Sequence, residues 1–354
     1  MKNIYRYLTV SCLTILIGFS SLGTFAGNKD RSGQAGASQL LINPWAMSAG
    51  WNNAGMASVK GLDAMFGNIA GTAFTKGTDL NFSHTTWLKG TDISMFSFGL
   101  LQKLGDAGVI GLSVTSMSFG DIPITTMDKP DGTGATYSPS LMNINISFAK
   151  SFSNSIHGGI LVKIISESMA DMSINGVALD AGIQYVTGSQ EQIHFGITLK
   201  NIGPTLRYSG DGLSYKVFFS QNYSDQYTVS ARTDPFELPT QLVIGAAYDF
   251  NFENDYRLTL AGNFTSNSFT KDQIILGAEF SLKNYLMLRA GYAYEEGVWD
   301  NIDTDENTNI NKGLNLGATV QAPLSKKMTL SVDYSYRSTA HFDGTHSIGA
   351  RISF

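Results

Sequence analysis

The chain has 354 residues, of which 43% are hydrophobic, 11% aromatic and 15% charged, whereas a typical soluble domain carries roughly 25% charged residues. A mean hydropathy of −0.03 excludes a bundle of transmembrane helices, and the composition, with one cysteine, excludes a collagen and a disulfide-stabilised scaffold. The formal net charge of −5 gives no overall positive charge for binding nucleic acid.

Residues 1–26 have the pattern of a secretory signal peptide. Two basic residues precede an apolar run over 8–19, and the segment ends at a small residue, Ala26. The apolar run is shorter than the roughly 20 residues that a membrane-spanning helix needs, which disfavours a membrane anchor. Cleavage after Ala26 removes Cys12, so we expect a mature chain with neither a disulfide nor a thiol nucleophile.

Residues 27–77 lack a clean hydrophobic period and are rich in glycine, alanine, asparagine and methionine. Short helical or turn pieces are expected over 40–47 and 53–59. From residue 78 to the end, apolar and polar residues alternate in runs of about ten residues, the length that a tilted strand needs to cross a bilayer. Successive side chains of a strand point to opposite faces, so each run predicts a strand with one apolar and one polar face.

Two all-β architectures fit this alternation: a soluble sandwich with its apolar faces inward, and a membrane barrel with its apolar faces outward. Strands of a sandwich are usually shorter, about five or six residues, and an exported chain suits the outer membrane. The last strand also resembles the C-terminal signal of bacterial outer-membrane barrels, because Ile348, Ala350, Ile352 and Phe354 share one face. We therefore predict an all-β, antiparallel transmembrane barrel, closed because lipid tolerates no exposed strand edge.

Fourteen strands are predicted, an even number as in bacterial barrels. They are placed at 78–88, 91–102, 107–118, 141–150, 156–167, 174–186, 192–201, 239–250, 256–266, 272–282, 285–295, 312–323, 327–337 and 345–354. Alternate connections are short, and the other set contains every long one, at 119–140, 202–238 and 296–311. Outer-membrane barrels have short periplasmic turns and long extracellular loops, so both termini are expected in the periplasm and the long loops outside the cell.

On this topology residues 78–354 form the barrel, and residues 27–77 begin in the periplasm. The segment 27–77 either folds into the lumen as a plug or forms a periplasmic cap. A barrel of this size needs its interior filled, which favours the plug.

Charged residues fall on the polar faces of the predicted strands. They are Lys163, Asp180, Lys200, Asp249, Arg257, Glu279, Arg289, Asp333, Arg337 and Arg351. A lysine or arginine facing lipid near the midplane costs about 2–4 kcal/mol, so these side chains are expected to face the lumen. They form either ion pairs that hold the strands and plug together or a selectivity ring, and we favour the ion pairs.

The chain shows no pattern typical of catalysis or of a metal site. Its five histidines lack metal-ligand spacing, and no Gly-x-Ser-x-Gly nucleophile motif is present. An acidic stretch at Asp300, Asp303, Asp305 and Glu306 lacks the glycine and distal glutamate of a calcium loop, so a solvated loop is expected. We predict a protein that is not an enzyme and that has no cofactor and no metal.

The longest loop, 202–238, is the best candidate for a partner-binding surface. It holds the aromatic residues Tyr215, Phe218, Phe219, Tyr223, Tyr227 and Phe236. Aromatic side chains bury a large area at a modest cost in conformational entropy, which suits a protein interface. The alternative is that this loop is a lid that packs on the mouth of its own barrel.

Several short motifs occur in order along the mature chain. They are 40–47 (LLINPWAM), 53–57 (NAGMA), 68–71 (NIAG), 176–185 (GVALDAGIQY), 200–204 (KNIGP), 208–212 (YSGDG) and 236–239 (FELP). Together they resemble the PorV/PorQ family, FadL-like outer-membrane barrels associated with type IX secretion in Bacteroidota. The stretches over 201–204 and 209–213 look more like PorV than PorQ. One departure is Ile69, where the family more often has proline.

The resemblance implies a role in protein transport. PorV-like barrels bind secreted cargo by its C-terminal signal domain after the cargo has crossed the outer membrane through a large translocon. They then pass it to the sortase or attachment complex at the cell surface. The implied partners are cargo, translocon and attachment complex, together with outer-membrane lipid. Two other roles are open: a FadL-like transporter of hydrophobic small molecules, and a structural scaffold of the translocon.

Overall fold

The computed structural model describes residues 31–218, 226–299, 309–325 and 327–354. The predicted signal peptide, the acidic stretch at 300–306, Phe219 and Tyr223 lie outside these residues. Within them, fourteen strands close into one antiparallel barrel, which confirms the predicted fold class.

The barrel strands are β1 (Thr78–Thr86), β2 (Ser94–Lys103), β3 (Val109–Ser118), β6 (Ser140–Ser151), β7 (Ile156–Met169), β8 (Met172–Thr187), β9 (Ile193–Ile202), β12 (Gln241–Asn251), β13 (Tyr256–Asn267), β14 (Gln273–Leu282), β15 (Leu286–Glu295), β16 (Asn311–Pro323), β17 (Thr329–Thr339) and β18 (Thr345–Ser353). Two small hairpins stand in the loops: β4 (Ile122–Pro123) with β5 (Thr136–Tyr137), and β10 (Ser214–Phe218) with β11 (Gln226–Ser230).

The barrel closes because β1 pairs with both β2 and β18. Asp79 lies opposite Ser353, and Thr86 lies opposite His346. Closure satisfies the backbone groups of both terminal strands, as a bilayer requires. The predicted strand ends agree with the structure to within three residues. The largest difference is at β2, which begins at Ser94 rather than 91 because Leu88 (φ 49°) and Gly90 (φ 107°) turn the chain first.

The side chains alternate as in a membrane barrel rather than a soluble sandwich. In β9, Phe195 and Ile197 point outward and are 49% and 53% exposed, whereas His194 and Thr198 point inward and are buried. Apolar surface of this kind is stable only against lipid. None of the helices in the described part of the chain is long and apolar enough to span a membrane.

The two ends of the barrel differ. We call the end with the short connections and the C-terminal Phe354 the turn end, and the end with the connections at 119–139, 203–240 and 296–310 the loop end. At the turn end an outward belt of exposed aromatic rings consists of Phe152, Tyr185, Phe252, Tyr285 and Phe354. Such belts are typical of the boundary between lipid and water.

The chain before β1 runs the full height of the barrel. It contains a 3-10 helix at Ser38–Leu41, an α-helix at Ala46–Ala49, and 3-10 helices at Gly61–Met65 and Ile69–Phe74. Single 3-10 turns also lie at Asp211–Leu213 and Glu253–Asp255, outside this segment.

The described part of this segment begins at the loop end. Gly36 N donates to Glu237 O there (3.2 Å), whereas the Phe74 ring packs on His157 at the turn end, 4.1 Å between centroids. The prediction that the segment starts at the same end as the C-terminus is therefore wrong for the described residues. A chain that fills the lumen from top to bottom and enters β1 at the turn end has to start at the opposite end.

Candidate functional site: the filled lumen and the loop-end surface

Residues 38–77, here called the plug segment, lie inside the barrel. On ten strands, a Cβ added at an inward glycine would lie within 4 Å of a plug-segment atom; these are Gly99, Gly111, Gly159, Gly182, Gly196, Gly245, Gly277, Gly291, Gly317 and Gly349. At Gly317 an added Cβ would lie 2.7 Å from Gly50 Cα, closer than real contacts allow. The plug segment is surrounded by strands and therefore lies in the lumen. Glycine has no side chain, so these positions leave room for the plug backbone.

Amide side chains hold the plug segment by its backbone. The bonds run from Asn315 Nδ2 to Ala49 O (2.9 Å), from Asn263 Nδ2 to Asn53 O (3.0 Å), and from Gln184 Nε2 to Met56 O and Val59 O (3.1 Å each). In the opposite direction, Asn68 Nδ2 of the plug segment donates to the strand carbonyl Ile183 O (3.0 Å). An irregular buried segment leaves carbonyl groups unpaired, and these strand amides satisfy them.

Inward charges pair between neighbouring strands, which supports the ion-pair interpretation. The pairs are Lys163–Asp180 (2.7 Å), Arg257–Glu279 (2.7 Å), Arg289–Glu279 (2.6 Å) and His194–Asp249 (3.0 Å). Pairing offsets part of the cost of taking charges out of water. Lys200 and Arg337 lack a carboxylate within ion-pair distance among the described residues.

One ion pair joins the plug segment to the barrel. Arg351 Nη1 of β18 lies 3.4 Å from Asp63 Oδ2, and Ser48 N donates to Asp63 Oδ1 (3.0 Å). Burial raises the pKa of the Asp63 carboxyl, while the Arg351 guanidinium and the Ser48 hydrogen bonds oppose that rise. The pair therefore holds the 3-10 helix Gly61–Met65 of the plug segment against β18 near the turn end.

Two cavities between the plug segment and the strands are lined mainly by polar and charged residues. One of about 210 Å³ lies towards the turn end, beside Lys60, Arg257 and Glu279. Another of about 140 Å³ lies towards the loop end, where asparagine and glutamine side chains predominate around Lys200 and Arg337. A site for a hydrophobic ligand is usually lined by apolar side chains, and neither cavity has that character.

The base of the longest loop is fastened to the barrel and to the plug segment. Leu206 and Phe236 exchange backbone hydrogen bonds (2.9 Å each). The buried Glu167 carboxylate of β7 accepts from Gln39 Nε2 (2.7 Å) and from Tyr208 Oη (2.6 Å). Burial and the hydrogen bond to Glu167 raise the pKa of the Tyr208 phenol. We call this junction the clamp.

The six aromatic residues predicted for partner binding separate into three groups. Tyr215, Phe218 and Tyr227 lie on the β10–β11 hairpin and are 56%, 50% and 52% exposed. Phe236 is in the clamp, where it packs with Tyr208 on an apolar cluster that includes Leu40, Ile165 and Ile174. Phe219 and Tyr223 lie outside the described residues. The loop therefore contains both a lid-like base and an exposed hairpin, and partner binding stays a prediction.

The hairpin has one apolar face. Tyr215 lies opposite Val229, and Val217 lies opposite Tyr227. Directly paired residues share a face, so these four side chains form one patch, while Lys216 and Thr228 share the other face with Phe218. The two valines were missed from the sequence, although the alternation at 215–217 and 227–229 indicates them.

No protein-family model matches the chain, and no curated protein matches it. Solved structures do match. The Pseudomonas putida toluene transporter TodX is 13% identical with a TM-score of 0.53, over 87% of this chain and 96% of TodX. The CymD monoaromatic hydrocarbon channel is 13% identical with a TM-score of 0.52, over 89% of this chain and 98% of CymD.

A Pseudomonas aeruginosa FadL homologue is 11% identical, with a TM-score of 0.50, over 88% of this chain and 98% of that protein. Identity this low shows a shared fold and does not transfer a substrate. The resemblance to the PorV/PorQ family is not tested by these structures. The chain has the fold of the FadL-type outer-membrane channels.

Proposed function

We propose that this protein is an outer-membrane barrel that binds a partner protein at its loop end. The partner is the C-terminal signal domain of a secreted protein, which the barrel takes from a type IX translocon and passes to the attachment complex at the cell surface. The apolar face of the β10–β11 hairpin, held on the clamp above a filled lumen, is the observation that carries this proposal.

The filled lumen favours binding over conduction. The plug segment occupies the space that a side chain would need at inward glycines on ten strands, and strand amides donate to its carbonyl groups. Beside the plug segment lie cavities of about 140 Å³ and 210 Å³, and a wider one of about 390 Å³ at the turn end, all with charged side chains in their walls. The exposed surface for a large partner is then at the end of the barrel, not inside it.

The hairpin offers two means of contact. Tyr215 and Tyr227 present about half of their side-chain surface, and tyrosine is enriched among residues that dominate binding energy. Within the described residues β10 pairs with β11 alone, so each strand has an outer edge. A β-rich partner domain can add a strand to such an edge. The PorV/PorQ resemblance supports a secreted signal domain as that partner.

The test replaces the apolar face and leaves the hairpin intact. A Tyr215→Ser, Tyr227→Ser double variant should lose co-purification of cargo signal domains from outer membranes, with affinity reduced at least about thirtyfold, because even one aromatic hot spot contributes about 2 kcal/mol or more. The matched control, Lys216→Ser with Thr228→Ala, changes the opposite face. Normal cargo binding by the tyrosine variant contradicts the proposal. Cargo capture that persists without translocon contact excludes the scaffold role.

The fold comparison favours a second candidate, a transporter of hydrophobic small molecules, more than it favours secretion. The similar structures include a toluene transporter and a monoaromatic hydrocarbon channel. The outer wall of this barrel also carries an apolar groove of about 450 Å³, beside Ile110, Leu112 and Phe148. Saturable uptake of toluene into liposomes containing the protein supports this candidate. Uptake equal to that of protein-free liposomes contradicts this second candidate.

A further inference from the structure

The apolar groove of about 450 Å³ on the outer wall, here called the wall groove, crosses four neighbouring strands, β2, β3, β6 and β7. Strand pairing arranges its outward side chains in two rows. The row nearer the turn end is Gln102, Ile110, Phe148 and Ile160, and the next row is Leu100, Leu112, Ile146 and Val162. All of these except Gln102 are apolar, so the wall groove suits a hydrocarbon chain.

The wall groove is as deep as the layer of outward side chains. Its lining includes Gly111 and Ser147, which belong to the inward faces of β3 and β6. A guest in the groove therefore reaches the strand backbone, and it contacts the outward side chains on either side. Its volume lies within the range of roughly 300–1,000 Å³ found for pockets that bind small molecules.

One cation stands on the outer wall between the wall groove and the turn end. Lys150 follows Phe148 on the outward face of β6 and lies opposite Gly158 of β7. Two residues of a strand span about 6.6 Å, so the lysine adjoins the first apolar row. Along the barrel strands that the structure describes, only Lys150 and Lys312 among lysine, arginine, aspartate and glutamate residues point outward, and Lys312 is at the loop end.

An aromatic neighbour places Lys150 at the level of the lipid headgroups. A Cβ added at Gly158 would lie 2.9 Å from Phe152 Cε2, so the Phe152 ring lies beside the position opposite Lys150. Phe152 belongs to the aromatic belt of the turn end, which is typical of the boundary between lipid and water. A lysine at this boundary can lay its stem on apolar surface and keep its ammonium group among the headgroups.

The charge of Lys150 is not neutralised within the described part of the chain, where no carboxylate lies within ion-pair distance of it. A cation at the membrane surface attracts anionic lipid headgroups. The complementary occupant therefore has a negative headgroup at Lys150 and a hydrocarbon tail in the adjoining groove.

We propose that the wall groove and Lys150 together bind one anionic phospholipid from the leaflet next to the turn end. An acyl chain of this lipid lies across the two apolar rows, and its phosphate lies at Lys150 Nζ. The occupant is a lipid rather than a soluble anion because the groove is apolar and faces the bilayer. The site needs neither cargo nor translocon, so it does not depend on the proposed function.

Native mass spectrometry of the detergent-purified protein tests the proposal with three probes. Dioleoyl phosphatidylglycerol should form a saturable one-to-one complex. Dioleoyl phosphatidylcholine has the same acyl chains without a net charge and should bind at least about fivefold more weakly, since a lysine near a membrane surface contributes about that factor. Glycerol 3-phosphate has the phosphate without acyl chains and should give no complex.

Two pairs of variants locate the lipid. Lys150→Met should weaken phosphatidylglycerol at least about fivefold and leave phosphatidylcholine unchanged, whereas Lys312→Met at the other end should change neither. Val162→Trp fills the wall groove and should weaken both lipids. Its matched control is Val332→Trp, at an outward position of β17, which should bind both as wild type does. Heat-modifiable migration on detergent gels shows that each variant is folded.

Equal affinity of the wild-type protein for the two lipids overturns the proposal, as does unchanged binding of phosphatidylglycerol in Lys150→Met or in Val162→Trp. A photo-crosslinking residue, p-benzoyl-phenylalanine, at Ile146 identifies the occupant in native outer membranes. Irradiation should attach a phospholipid to the protein. Attachment of another protein in its place assigns the wall groove to a membrane-embedded partner and also overturns the proposal.

Discussion

Substitution of Gly291 by alanine tests how tightly the plug segment fits the barrel. Gly291 lies in β15 against the backbone of Trp51. An added Cβ would lie 2.1 Å from Trp51 O, 2.3 Å from Trp51 C and 2.7 Å from Trp51 Cα. Backbone atoms cannot rotate away as the end of a side chain can. Overpacking a core costs about 1–3 kcal/mol, and contact with fixed backbone places Gly291→Ala at the upper end, about 3 kcal/mol.

Gly262→Ala in β13 is the matched control. Its Cβ would meet Leu276 Cδ2 at 2.9 Å, the end of a flexible side chain on the outer face. Gly291→Ala should lower the temperature at which the barrel loses its heat-resistant fold on detergent gels, and it should admit small sugars in a liposome-swelling assay. Gly262→Ala should behave as wild type. Equal stability and equal permeability of the two variants would refute the reasoning that glycines seat the plug segment.

Two further substitutions test single contacts. Asn315→Leu removes the bond to Ala49 O (2.9 Å) and leaves a buried carbonyl unpaired, so thermal unfolding should show a loss of about 1–3 kcal/mol; wild-type stability contradicts the anchoring role. In the clamp, the pKa of Tyr208 is raised above its ordinary value of 10.0. The stabilisation from its protonated phenol is therefore complete below pH 10.0 and is lost as the pH rises further. An ultraviolet difference titration of wild type against Tyr208→Phe should show one phenol ionising above 10.0, and ionisation at or below that value contradicts the clamp.

Local alternation was enough to predict the barrel. A strand places successive side chains on opposite faces, so each strand shows an alternation of apolar and polar residues with a period of two. The charged members of the polar faces then had to point away from lipid, which predicted inward Lys163, Asp180, Glu279 and Arg289. Their pairing follows from strand neighbours that the order of the chain already gives.

The sequence predicted only part of the arrangement of the aromatic residues in the longest loop. The sequence indicated the aromatic content of 202–238, and the structure separates Phe236 in the clamp from Tyr215 and Tyr227 on the hairpin. Phe236 packs against an apolar cluster that includes Leu40 and Ile165, which are remote along the chain. No pattern local to the loop distinguishes an aromatic ring that packs on the barrel from one that stays exposed.

The sequence by itself determined the strands, their number and the inward direction of the charges, because these depend on periods of two residues and on the cost of charge in lipid. Only the tertiary structure decided the path of the plug segment and the ten glycines that seat it. The reason is that these features join residues far apart in the chain, and closure of the barrel, rather than any local preference, brings them together.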